Sequence, residues 1–590
     1  MKNRQEMDPA YMWDFTDLYA SGEEVEKAFS EAGELTEGLD KLLETMDRDS
    51  ESFFSCLDGV MAAAEKTEKL GIYGMLMMAA DSTDPKSQEL EDRSRRLMVS
   101  FSQRMSVLNT RITAMDDGKA ASFMACPGAE KYAHYVENIR RHRPHMLSEE
   151  LEVFAAKLSD FAGTPDNVYS MFTDSDLTFP DTPGDDGQTH PLTNGNFNIY
   201  RESRSRFVRE EAFRNYLGTY GRYINTFAVL YSSLVKLDNL EAAERKFSSA
   251  MESALFANDI PSCVYTNLVD SVHANLGAMK KYLALRQKVL GLEKIDMFDL
   301  YVPMVSEVDM SVSFPDARDL VKSALAPLGE EYLGLLDRAF DEKWMDVYEN
   351  RGKRSGAFSC GVYGEHPFVL LNYTDTLDDA YTVAHELGHS MHSYFSDREQ
   401  EFVNHDYAIF VAEVASTVNE VLLTLYLLER ESDPARRAYI LNKFAEGFRT
   451  TVYRQTLFAE FEQKAHEAAS AGTALNAENL CGIYRDLIGT YYEGADIPDV
   501  MKYEWSYIPH FYSPFYVYQY ATGFSSAVAI ARRIRETGDA SGYLKFLSLG
   551  GSVYPVDALK TAGVDLTAPD AVDDALKLFE KTVEELSELL

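Results

Sequence analysis

The stretch Tyr381-Thr382-Val383-Ala384-His385-Glu386-Leu387-Gly388-His389 contains H-E-x-x-H. On a helix, His385 and His389 lie one turn apart on one face, so both imidazoles reach a single metal ion. Glu386 stands beside them, placed to hold a water at the metal and take its proton. This is the arrangement that zinc-assisted hydrolysis of a peptide bond requires. A bare motif match is weak, because a histidine pair on a helix also serves as a solvated face. Context strengthens it. Thr376 and Asp379 form a capping-box pattern that starts a helix. Leu377, Ala384, Leu387, Met391 and Phe395 give that helix an apolar stripe.

A catalytic zinc needs a third protein ligand and an open position for water. The candidate is Glu413, in Phe410-Val411-Ala412-Glu413-Val414-Ala415-Ser416. A carboxylate in so apolar a helix is costly to bury unpaired, and coordination would offset that cost. The alternative is a buried salt bridge. Glu420, two turns on, is placed to orient a ligand histidine from behind. The longer motif H-E-x-x-H-x-x-G-x-x-H fails, since position 392 is His and position 395 is Phe. His392 is therefore assigned to substrate contact or to support of a ligand, and His366 and His405 to loops.

A second group lies downstream, from Tyr507-Ile508-Pro509-His510-Phe511-Tyr512 through Tyr516-Val517-Tyr518-Gln519-Tyr520 to a flexible Ala521-Thr522-Gly523. Aromatic density of this kind is commonly core. Here it is joined to a histidine, and His and Tyr supply the hydrogen-bond donors that a tetrahedral oxyanion needs. His510 and at least one of Tyr516, Tyr518 and Tyr520 are candidates.

These groups need a scaffold, and the chain is long enough for one. Its 590 residues exceed a single simple core, implying several domains or two lobes around a cleft. Hydrophobic content of 45% is that of a globular protein. The net charge of −38 argues against nucleic acid or an anionic membrane as partner. Cys56, Cys126, Cys263, Cys360 and Cys481 are odd in number and widely spaced, without C-x-x-C, which fits a reduced, cytosolic chain. The start, Met1 to Asp14, lacks the apolar core of a signal peptide. The most membrane-like segment, Tyr407 to Leu428, is interrupted by Glu413, Asn419 and Glu420 and reads as a buried helix.

Residues 15 to 160 read as amphipathic helices. Residues 174 to 200 read as a small hairpin or loop around Pro183-Gly184-Asp185-Asp186-Gly187. Helical pattern resumes near Ser203 and continues to about Asn350. Ala357 to Tyr363 and Phe368 to Tyr373 read as two short strands with turn chemistry at Gly364-Glu365-His366-Pro367. They suggest either an exposed edge that an extended peptide could join, or a small structural sheet. Helical pattern dominates from the histidine pair to Leu590.

Taken together, Leu371-Asn372-Tyr373-Thr374, His385-Glu386-Leu387-Gly388-His389-Ser390-Met391-His392, Phe410-Val411-Ala412-Glu413, Ile508-Pro509-His510-Phe511-Tyr512 and Tyr516 to Gly523 resemble the thimet-oligopeptidase-like zinc metallopeptidases, in their oligoendopeptidase F branch. Met12-Trp13-Asp14-Phe15-Thr16-Asp17-Leu18-Tyr19 is similar to the start of that branch. The resemblance implies a mainly α fold, two helical lobes around a deep substrate channel, with the small sheet beside the H-E-x-x-H helix. It implies residues 1–200 as an N-terminal helical domain and 201–590 as the catalytic domain. It implies one zinc per chain on His385, His389 and Glu413, Glu386 as general base, and His510 with Tyr516 or Tyr520 at the oxyanion. The spacing from His510 to these tyrosines is one residue longer than in the thimet oligopeptidase branch.

The expected activity is that of a cytosolic zinc endopeptidase cutting internal bonds of short peptides. One alternative is a dipeptidyl carboxypeptidase-type exopeptidase, which needs a cation for the substrate carboxylate, with Lys353, Arg354 and Arg449 as candidates. The other is a non-catalytic helical peptide-binding protein. Oligomeric state is not legible.

Overall fold

Helix-starting signals recur along the chain, and the fold follows them. The computed structural model describes residues 2–305, 308 and 310–590. Among these, 24 α-helices outweigh five strands of two or three residues. Of the helical run expected from Ser203 to Asn350, residues 306, 307 and 309 lie outside the described residues, as does Met1. The chain divides into two compact units: Met1–Pro144, Met310–Tyr426 and Ile530–Val564 in the first, His145–Asp309, Leu427–Ala529 and Asp565–Leu590 in the second.

The first unit opens with three long helices, Gly22–Thr45, Ser50–Ala80 and Pro85–Ala114. Each starts where a short polar side chain accepts a free first-turn amide: Ser21 from Glu24, Asp49 from Ser52, Asp84 from Lys86. Their apolar faces meet in a core of Leu39, Leu43, Phe53, Leu57, Val60, Leu108 and Ile112, all nearly sealed from solvent.

A three-stranded sheet follows. Phe368–Leu370 lies in the middle, antiparallel to Phe358–Cys360 and parallel to Met345–Asp346, with Ser359 opposite Val369 and Met345 on its other side. Both strands expected around residues 357–373 are present, shortened to three residues each. Gly364 takes φ of +80° at the turn between them, a conformation that suits glycine. The third strand, Met345–Asp346, was not expected. Two residues inside a helical pattern carry no periodicity, and the parallel pairing is long-range. Trp13 closes this end, its indole Nε1 donating to the Trp344 carbonyl at 3.0 Å.

The histidine-pair helix spans Leu377–Glu399 and begins with the expected capping box, Thr376 accepting from the Asp379 amide and Asp379 from that of Thr376. It packs on the helix Ile409–Arg430. That second helix is long and apolar enough to cross a membrane, yet over half of its apolar window, 56%, is buried inside the fold. The two helices meet at Gly388. A Cβ there would stand 2.5 Å from the Ser416 Cα and 2.7 Å from the Ala415 carbonyl oxygen, both backbone atoms that cannot turn aside. Gly388→Ala is therefore expected to force the helices apart. It should destabilise the protein by about 1–3 kcal/mol as an overpacked core does, and weaken zinc retention with it. Thermal unfolding beside metal content checks this; an unchanged Tm with full metal would show that the contact relaxes.

In the second unit, Thr182–Pro183 and Thr189–His190 pair antiparallel, giving the small hairpin expected within 174–200. Tyr231, Phe461, Trp505 and Phe511 pack as neighbouring rings in its core. The final helix, Asp570–Leu589, buries Val572, Leu576, Phe579, Val583 and Leu586, a single face at helical spacing.

Candidate metal centre and aromatic cluster

His385 and His389 project from one face of the histidine-pair helix, and Glu413 reaches them from the facing helix. The His385 and His389 Nε2 atoms are 3.2 Å apart. Glu413 Oε2 lies 3.4 Å from the first and 3.6 Å from the second. Tetrahedral zinc with bonds of about 2.0–2.2 Å separates its ligand atoms by about 3.3–3.6 Å. The three distances are thus close to three edges of such a tetrahedron. Two imidazole nitrogens this close cannot both carry protons: one donates to the other, or both face a shared cation. Among the described residues this is the one group of three or more candidate ligands that converges, and the fourth vertex has no protein ligand. The donor set fits zinc: borderline imidazole nitrogens with one carboxylate oxygen.

Glu420 accepts a short hydrogen bond from His385 Nδ1. In the neutral imidazole this bond fixes the proton on Nδ1 and turns the Nε2 lone pair towards His389 and Glu413. Burial disfavours the charged imidazolium, yet Glu420, Glu386 and Glu413 outweigh it and raise His385 to about 9. His389 goes the other way, to about 4, through burial and the neighbouring His385. It is therefore a neutral ligand at physiological pH.

Glu386 is 6% exposed. Burial pushes its carboxyl up; His385 lowers it, Glu413 and Glu420 raise it, the Ser359 amide lowers it, and the result is about 7. A carboxyl at that value is poised to accept and return a proton near neutrality. Ser359 belongs to the edge strand Phe358–Cys360, and its Oγ lies 2.8 Å from that of Ser390. The sheet edge is thus fastened along the histidine-pair helix.

Two expectations about side chains near the histidine pair need correction. Glu413 is not buried: its side chain is 48% exposed, so no burial cost argues for its role, and the geometry does instead. His392 is sealed in the core. It is 1% exposed, its ring stacked 3.5 Å from that of Tyr407, and its Nδ1 has no partner among the described residues. Burial lowers its pKa to about 3, which keeps it neutral in the core. His366 and His405 lie in loops as expected, His366 stacked on Trp344 and His405 bonded to Asp397 at 2.9 Å.

Residues that sequence reasoning passed over hold the helix pair in register. Asn419 donates to the Ala384 carbonyl at 2.9 Å and accepts from the Tyr332 hydroxyl at 3.0 Å. Tyr381 and Thr424 share a hydrogen bond of 2.9 Å. The signal was present: an amide in an apolar helix must find partners.

The aromatic cluster belongs to the second unit. His510 Nε2 lies 3.1 Å from the Tyr520 hydroxyl, and the Tyr516 ring lies parallel to the imidazole with centroids 6.2 Å apart. Tyr516 and Tyr520 meet edge-on at 5.6 Å. Burial lowers the His510 pKa, disfavouring the imidazolium. Tyr518 is separated from this group: it is 2% exposed and packs on Tyr265. Ala521-Thr522-Gly523 is not flexible. It lies inside the helix Tyr518–Thr537, with the Thr522 hydroxyl donating to the Tyr518 carbonyl.

Residues 199–578 match the family described as Peptidase family M3, and residues 111–179 match that described as Oligopeptidase F. The chain is 40% identical over 594 residues to oligopeptidase PepF of Bacillus subtilis, covering all of this chain and 89% of that one. It is 38% identical to group B oligopeptidase PepB of Streptococcus agalactiae, covering all of this chain and 98% of that one. Among solved structures, oligoendopeptidase-F from Enterococcus faecium superposes with a TM-score of 0.74 at 34% identity, covering 96% of this chain and 99% of the other. The match of the family over most of the chain, and of the relatives over its whole length, leads to one conclusion: the chain belongs to peptidase family M3, in its oligopeptidase F group.

Proposed function

We propose that the chain is a zinc endopeptidase hydrolysing internal bonds of short peptides. The convergence of His385, His389 and Glu413, with Glu386 beside them, carries this reading. These three residues would hold a zinc ion, which when bound would supply Lewis-acid polarisation of the scissile carbonyl and of a water. Glu386 accepts the proton of the attacking water on its carboxylate and passes it to the leaving amine. The nearby cation would draw the Glu386 carboxyl down from about 7 towards its ionised, basic form. Glu420 keeps His385 in the tautomer that offers Nε2. His510 and Tyr516, with Tyr520, supply donors to the developing oxyanion. Support for those roles is the motif match and the exclusion of Tyr518 from the cluster.

The exopeptidase reading loses most of its cations. Lys353 is fully buried 2.8 Å from Asp346, and Arg449 is 2.6 Å from Glu446, so both are committed. Only Arg354 is exposed. Free thiols at all five cysteines support a reducing, cytosolic setting, and the net charge of −38 disfavours nucleic acid as partner. Incubating peptides with free and blocked ends, with and without chelator, tests the assignment. Both kinds should be cut internally, with activity lost to chelator and restored by zinc. Cleavage confined to free-ended peptides would make the protein an exopeptidase, and chelator-resistant cleavage would remove the metal from the mechanism.

Tyr516→Phe is expected to lower kcat by about 10²–10³-fold, the usual loss for one oxyanion donor, with little change in KM. A phenol aimed at the oxyanion acts mainly in the transition state. Tyr518→Phe, altered only in the core, should keep near-normal kcat. If the Phe variants of 516, 518 and 520 all turn over normally, the cluster only lines the substrate.

A further inference from the structure

The second unit encloses a cavity lined by Arg201, Tyr301, Arg449, Arg454, Tyr492 and Glu504, among others. Its charges do not balance. Arg449, 1% exposed, pairs with Glu446 at 2.6 Å, but Glu446 is shared with Arg286 at 2.9 Å. Arg454 pairs with Glu504 at 2.8 Å and donates to the Tyr507 hydroxyl at 2.9 Å. Arg201 stacks on the Tyr301 ring, its guanidinium carbon 3.6 Å from the centroid. No carboxylate among the described residues pairs with Arg201, and its buried Nε has no hydrogen-bond partner. Arg201, partly buried, thus lines the cavity without a carboxylate of its own, beside the buried and paired Arg449 and Arg454, and a charge left uncompensated in such a place is unfavourable.

Two further observations point into the same space. Tyr492 is 1% exposed, lines the cavity, and its hydroxyl has no partner. A buried donor of this kind implies a missing acceptor. Arg449 also approaches the Tyr301 ring, at 4.6 Å, from the π-helical turn Phe448–Tyr453, a distortion common at binding sites. Burial opposes ionisation of Tyr301, yet Arg454, Arg201 and Arg449 bring its phenol down to about 8, a measure of the positive field. The cavity offers about 10 Å³ to the centre of a water-sized sphere, room for one water or one small ion.

We propose that this cavity binds one monatomic anion of the chloride class, held by Arg201 and the Tyr492 hydroxyl beside Arg449 and Arg454. The anion accepts the bonds that Arg201 Nε and the Tyr492 hydroxyl otherwise lack, and balances part of the buried charge. Tyr507, which Arg454 also holds, opens the segment that carries His510 three residues on.

The test uses the zinc-loaded chain, exchanged into potassium gluconate and unfolded thermally in gluconate, chloride and bromide at equal ionic strength. Chloride and bromide should raise Tm by about 2 °C, saturating with concentration as a bound ligand does. The gain should vanish in Arg201→Gln and in the gentler Tyr492→Phe. In crystals soaked in bromide, anomalous scattering should place the ion in the cavity. Equal Tm in all three salts, or a cavity without bromide, overturns the proposal. A tyrosinate absorbance band rising near pH 8 in every salt would then identify Tyr301 itself as the compensating anion.

Discussion

Glu386→Gln is expected to keep zinc at one per chain and to lower kcat by about 10²–10⁴-fold, the range a positioned general base contributes. The amide matches the carboxylate in size, so the buried pocket and the three ligands are undisturbed. What it loses is the capacity to accept a proton. Metal content by elemental analysis, read beside cleavage of a blocked peptide, separates the two effects. Appreciable turnover by a folded, zinc-loaded variant would take Glu386 out of the mechanism. Loss of zinc would instead mean that its charge helps to hold the ion.

Glu413→Ala is expected to leave the chain with little or no zinc and no activity, because two histidines are too few for tight binding. The fold should survive, since the Glu413 side chain is half exposed and contributes little to the core. Glu420→Ala should be milder, weakening zinc affinity by about 10–100-fold, as the loss of a partner behind a ligand does. Titration against a competing chelator measures both. If Glu413→Ala holds stoichiometric zinc, the third ligand lies elsewhere and Glu420 is the first to examine.

Much of this centre was legible before any coordinates. The residue types and the spacing of His385, Glu386 and His389 state a chemistry, and Thr376 with Asp379 states where the helix begins. Both are local, carried by neighbours within one or two turns. Glu413 is singled out in the sequence for a reason that the fold does not support, since its helix is buried but its own carboxylate is not, and what brings it to the histidine pair is geometry. Helical periodicity says that one side of Ile409–Arg430 is polar, and cannot say whether that side meets protein or solvent.

Residue types and spacing were enough to point to the candidate ligands His385, His389 and Glu413, to the helix that presents two of them, to the mainly helical class and, through a resemblance to known oligopeptidases, to the family. Tertiary structure alone decided which histidines and tyrosines face a site. His392, three residues from a ligand, is sealed against Tyr407, and Tyr518 turns into the core between Tyr516 and Tyr520, which do not. It also decided that Gly388 must be glycine, that Asn419 locks the helix pair, and that Lys353 and Arg449 are already paired. The physical reason is range. Ligand identity and helix capping depend on residues a few positions apart, whereas burial, charge pairing and close backbone approach depend on partners distant along the chain, brought together only by packing.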